Sequence, residues 1–109
     1  QLILDACQSE AAYTQRFAAV MLLTYFTDDS HVHDALNLLT KLTSQDYYVR
    51  MAVAWAVSIF YIQQPKATLP LLQSDTLDTF THNKAIQKIC ESRRISTETK
   101  QQLRLLKRR

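Results

Sequence analysis

Apolar residues recur at helical spacing along nearly the whole chain. From Ser9 to Phe26 the positions Ala12, Ala19, Leu22, Leu23 and Phe26 fall on one side. Ser9 is placed to cap that helix and Glu10 is favourable in its first turn. Asp28, Asp29 and Ser30 punctuate the chain before a second helix carrying Val32, Ala35, Leu36, Leu38, Leu39 and Leu42. Ser44 to Gln64 predicts a third helix, so apolar between Tyr47 and Ile62 that it must be largely enclosed. Pro65 suits the first turn of a short fourth helix through Leu72, in which Pro70 disturbs the geometry. The turn-rich stretch from Ser74 to Thr81 leads to a fifth helix ending near Ser92. Ser96 caps a sixth, with Thr97 and Glu98 in its first turn and basic residues in its last.

The pattern repeats. Tyr13-Thr14-Gln15-Arg16-Phe17-Ala18-Ala19-Val20 aligns with Tyr47-Tyr48-Val49-Arg50-Met51-Ala52-Val53-Ala54 at an offset of 34 residues. A further 34 residues leads from Arg50 to Lys84, with Ile89 where the second unit has Trp55. Helix pairs at this period predict an all-α, HEAT-like α-α superhelix of about three pairs, with repeats near 9–42, 43–76 and 77–109. The tetratricopeptide signals of Trp, Leu-Gly and Pro are missing, and the charged last pair reads as a solubilising cap. Leu2-Ile3-Leu4 looks like the end of a helix already in progress. The 109 residues therefore read as one domain, the C-terminal part of a longer solenoid.

Composition narrows the function. The chain has no glycine and two prolines, which argues against a P-loop, a dinucleotide fingerprint or tight hairpins, all of which use glycine backbone angles. Cys7 and Cys90 are too few for a disulfide scaffold and read as free thiols of a reducing cytosol. The longest apolar run, Val53 to Ile62, is about half a membrane span, so no membrane partner is expected. Charge is divided unevenly. From Lys84 onward nine Lys and Arg face only Glu91 and Glu98, leaving +7, whereas four basic and eight acidic residues before it leave −4. A polyanion-facing end fits that asymmetry, and so does an ordinary soluble surface.

In a stacked repeat, equivalent helices line one surface, so Arg16, Arg50 and Lys84 are expected to form a basic row along a groove. Two of them have a structural alternative: Arg16 can pair with Glu10, and Arg50 with Asp46 four residues earlier. Trp55, the only tryptophan, follows Arg50 by five positions, roughly 140° around a helix and about 7.5 Å along it. Between alanines it can pack in the core. Alternatively, the small neighbours Ala52, Ala54 and Ala56 let a ligand reach its π face. His31, His33 and His82 lack metal-ligand spacing, and Asp28, Asp29, Asp34, Asp46, Asp75 and Asp78 read as caps and turn formers, so neither metal nor cofactor is expected. On these residues the chain looks like a binding surface rather than a complete active site.

The segments Tyr47-Tyr48-Val49-Arg50-Met51-Ala52-Val53-Ala54-Trp55 and Thr81-His82-Asn83-Lys84-Ala85-Ile86-Gln87-Lys88-Ile89, with the helix from Arg16 to Leu23, resemble the AlkD-like DNA alkylation repair proteins. The likeness covers essentially the whole chain, as the C-terminal half of that fold. It implies a HEAT-like superhelix whose basic concave face holds duplex DNA. It also implies a parent enzyme that releases 3-methyladenine or 7-methylguanine by hydrolysing the N-glycosidic bond with the lesion still stacked. By this resemblance Arg16 holds phosphate beside the catalytic centre and Trp55 lies against the deoxyribose of the lesion, while Arg50, Lys84 and Lys88 contact the duplex backbone. Both Arg16 and Trp55 thus have supporting catalytic roles. Their separation of 39 residues fits the alignment, and the family's catalytic aspartate and first tryptophan fall upstream of Gln1.

A cationic base is already a good leaving group, so such a site need only stabilise an oxocarbenium-like sugar and position water. The resemblance further implies a monomeric, cytoplasmic, nucleoid-associated protein whose partner is alkylated or distorted double-stranded DNA. Two rival readings stand beside it: a non-catalytic protein of the same scaffold that binds branched or distorted DNA, and a protein–protein adaptor solenoid. The adaptor predicts a neutral or apolar groove.

Overall fold

The computed structural model describes residues 12–25, 30–42, 46–74 and 76–108. Among them are six α-helices and no strand: α1 (Ala12–Tyr25), α2 (Val32–Leu39), α3 (Tyr47–Gln63), α4 (Pro65–Gln73), α5 (Thr79–Cys90) and α6 (Thr97–Arg104). The all-helical expectation holds for these residues. Ser9, Glu10, Phe26, Asp28, Asp29, Ser44, Asp75 and Cys7 lie outside the described residues.

Local chemistry places the helix starts. The Asp46 carboxylate accepts hydrogen bonds from the backbone N–H of Tyr48 at 2.9 Å and Val49 at 3.3 Å, satisfying donors that the first turn of α3 leaves without partners. The helix therefore begins at Tyr47, later than the Ser44 start expected from periodicity. Asp78 caps α5 in the same way, accepting from Thr81 N at 3.1 Å and Thr81 Oγ1 at 2.6 Å. That start, at Thr79, lies inside the stretch that composition marks as turn. Ser96 Oγ accepts from Thr99 N at 3.2 Å and caps α6 as anticipated. Pro70 does not end α4, which runs on to Gln73. The acceptor that Pro70 leaves without an amide belongs to exposed Lys66, where water can serve instead.

Helix α3 is the centre of the fold. It packs between α1 and α5, and the intervening helices α2 and α4 contact each other as well as α3. Helix α6 folds back on α5. The buried stripe of α3, Val49, Ala52, Val53, Ala56, Val57 and Phe60, has helical spacing and joins Ala18, Ala19 and Leu22 of α1 with Ala85, Ile86 and Ile89 of α5 in one apolar cluster. Burying each Val, Leu, Ile or Phe of this cluster stabilises the fold by about 1.5–3 kcal/mol, and each Ala by less, before entropy is charged against it. Burial also pushes the Tyr61 phenol above its ordinary 10.0.

The C-terminal residues close the end of this stack. The His82 ring, 1% exposed, donates Nε2–H to the Leu106 carbonyl at 2.8 Å, which places its proton on Nε2. Asn83 clasps the backbone of Arg108, accepting from its N–H at 2.7 Å and donating to its carbonyl at 2.6 Å. The Arg108 guanidinium in turn donates to the carbonyls of Leu77 and Ser74. His82 is thus a packing residue here. Cys90 is a free, half-buried thiol whose Sγ lies 3.8 Å from the Lys100 carbonyl.

Candidate nucleic-acid interface

Three helices build one open cleft. Tyr48, Met51, Ala52 and Trp55 follow each other at positions i, i+3, i+4 and i+7 of α3, so they lie on one face over two turns. Arg16 and Val20 of α1, one turn apart, form one wall, and Lys88 of α5 adds a cation from the other side. The cleft encloses about 260 Å³. Trp55 lies outside the buried stripe of α3 and is 46% exposed, so packing in the core is not its role. Arg16 is exposed, with its guanidinium carbon 5.7 Å from the centroid of the Tyr48 ring. Stacking of that kind orders the side chain while leaving its N–H donors available in the plane.

Arg50 and Lys84 gather elsewhere. Arg50 Nη1 lies 3.9 Å from Asp78 Oδ2, and its guanidinium carbon is 4.7 Å from the Phe80 ring centroid. Its partner is therefore the cap of the next odd-numbered helix, while Asp46 turns its carboxylate to its own backbone. Lys84 Nζ is 5.9 Å from the same Phe80 ring and donates to Gln87 Oε1 at 3.1 Å. The expected row of Arg16, Arg50 and Lys84 is thus divided: Arg16, Trp55 and Lys88 share the cleft, whereas Arg50 and Lys84 flank Phe80. The considered partner of Arg16, Glu10, lies outside the described residues.

An aromatic bridge joins the two groups. Tyr48 meets Tyr47 edge-on with centroids 5.5 Å apart, and Tyr47 lies 5.8 Å from Phe80. Tyr47 and Tyr48 remain 53% and 64% exposed. These three aromatics were not among the candidate site residues. A signal existed: Tyr48 precedes Trp55 by seven residues, two helical turns, on the same side of α3.

The cleft can hold an anion between Arg16 and Lys88 and a flat or sugar ring against Trp55. Among the described residues, no carboxylate lines it. Also among the described residues, no group of three His, Cys, Asp or Glu side chains could hold a metal ion, and no helix is long and apolar enough to cross a membrane. Compared with protein-family models, curated proteins and solved structures, the chain matches none of them.

Proposed function

We propose that this chain is the DNA-binding part of a HEAT-like DNA alkylation repair protein of the AlkD-like kind, whose parent hydrolyses the N-glycosidic bond of alkylated purines. The single observation that carries the reading is the convergence of Arg16, Trp55 and Lys88 on one open cleft from three different helices. Two cations there suit backbone phosphates, which position a duplex without reading its sequence. The exposed indole suits the deoxyribose of a lesion whose sugar gains positive charge as the base leaves, an attraction of about 0.5–2 kcal/mol. The arrangement of helix pairs, with α3 between α1 and α5, agrees with a solenoid in which equivalent helices share a surface. By the resemblance, the catalytic carboxylate comes from the N-terminal half of the parent's fold.

The cleft shows no carboxylate among the described residues, which suits a second reading as well, a scaffold that binds distorted DNA and performs no chemistry. Single-turnover release of 7-methylguanine from methylated duplex by the intact protein separates the two. Release establishes a glycosylase. Salt-sensitive duplex binding without release leaves the shape-reading scaffold, and salt-insensitive, weak binding overturns both in favour of a protein-binding solenoid.

A further inference from the structure

The exposed edge of α3 continues the aromatic and basic lining of the cleft toward α5. Tyr48 lines the cleft, and from it the rings of Tyr47 and Phe80 continue along the surface to α5. Cations accompany this line throughout, with Arg16 over Tyr48 and both Arg50 and Lys84 over Phe80. Large aromatic side chains are seldom left half-exposed side by side, whereas Tyr47 and Tyr48 both are.

We infer that this edge is a stacking platform for unpaired nucleotides, with Tyr48 and Tyr47 taking successive bases of a single strand and Arg16 and Lys84 its phosphates. Two features favour a single strand over a duplex. The planes of Tyr47 and Tyr48 are inclined by 81°, and those of Tyr47 and Phe80 by 56°. Bases lying on these rings are therefore turned out of a continuous stack, a geometry open to splayed bases and closed to paired ones. Finally, aromatic faces interleaved with basic side chains are the general means by which proteins hold single strands without sequence preference. The alternative occupant, an acidic peptide, would use the cations and leave the two tyrosines idle.

This inference shares Arg16 and Tyr48 with the cleft but does not depend on the glycosylase reading. The test compares a labelled oligothymidine with an abasic oligomer of the same length, by fluorescence anisotropy on the intact protein at one fixed salt concentration. The thymine oligomer binds at least about five-fold tighter, the lower range for one base stacked on an aromatic side chain. Tyr48→Leu and Tyr47→Leu each lower binding of the thymine oligomer by about five-fold or more, and binding of the abasic oligomer by a smaller factor. Both positions are exposed and Asp46 caps backbone N–H groups, so the variants keep the helix, as circular dichroism checks. Equal binding of the two oligomers by the unaltered protein overturns the platform without recourse to any variant. Methylated blunt duplex, measured alongside, separates the two readings: duplex binding with equal oligomer affinities removes the platform alone. Tyrosine-dependent thymine binding without duplex binding removes the duplex reading alone.

Discussion

Two arginines are put to opposite uses in this molecule. Arg108 is half-buried, and its guanidinium donates to the carbonyls of Ser74 and Leu77 while its backbone is clasped by Asn83. Arg16 stands exposed, its guanidinium over the Tyr48 ring at the wall of an open cleft. The first fastens the C-terminal residues to the loop that leads into α5. The second presents a positive charge to whatever enters the cleft. Arg108 belongs to the strongly basic C-terminal segment and Arg16 to the net acidic portion before it. Local charge density therefore does not tell which cations the fold itself uses. What each cation touches does.

The strongest consequence falls on the C-terminal closure. Arg108→Ala removes two hydrogen bonds from a charged donor and leaves the carbonyls of Ser74 and Leu77 without them, so the stability to urea is expected to fall by about 3 kcal/mol. The salt dependence of DNA binding by the folded variant should be unchanged. A fall in the salt slope would place Arg108 on the DNA and dissolve the distinction from Arg16. At the cleft, Trp55→Phe keeps an aromatic ring but weakens its electrostatic attraction for a cationic sugar. Single-turnover excision by the intact protein should slow by roughly ten-fold, equivalent to about 1.4 kcal/mol, with duplex affinity changed much less. An unaltered rate would remove Trp55 from the chemistry.

The helices were legible because their causes are local. Apolar spacing reveals α3 and the capping preference of serine the start of α6, whereas α5 starts at Thr79, inside the stretch read as turn, with Asp78 as its cap. The fourth helix, read through Leu72 with Pro70 inside it, runs to Gln73, and the acceptor that Pro70 leaves without an amide belongs to exposed Lys66, where water can serve. The site was less legible, since its parts meet through packing. Asp46, four residues before Arg50, is the partner that helical spacing offers. The structure instead brings Asp78 to Arg50 because α5 packs along α3, and a contact across 28 residues leaves no local trace. Tyr47 and Tyr48 were visible in the repeat, but only the stripe formed by Val49, Val53 and Val57 reveals that neither is drawn into the core.

Smaller effects probe the cations of the cleft and its neighbour. Arg16→Ala should weaken binding to methylated duplex and lower the slope of log affinity against log salt by about 0.9, the contribution of one phosphate contact. An unchanged slope would mean that Arg16 serves only to pack on Tyr48. The corresponding change for Arg50 is expected to be smaller, because Asp78 already compensates its charge at 3.9 Å.

The smallest and most discriminating change is Asp78→Asn. Asparagine is as good an N-cap as aspartate, so the bond from Thr81 N can persist and stability should move by less than about 1 kcal/mol. What disappears is the negative charge beside Arg50. If a phosphate passes over Phe80, the released guanidinium can reach it, and both duplex affinity and the salt slope should rise, the slope by up to about 0.9. If the DNA stays at the cleft of Arg16, Trp55 and Lys88, the slope will not move, because Arg50 then has no phosphate to meet. A rise would extend the interface from α1 across α3 to α5. A flat result would confine it to the cleft and assign Arg50 and Asp78 to holding α5 in place.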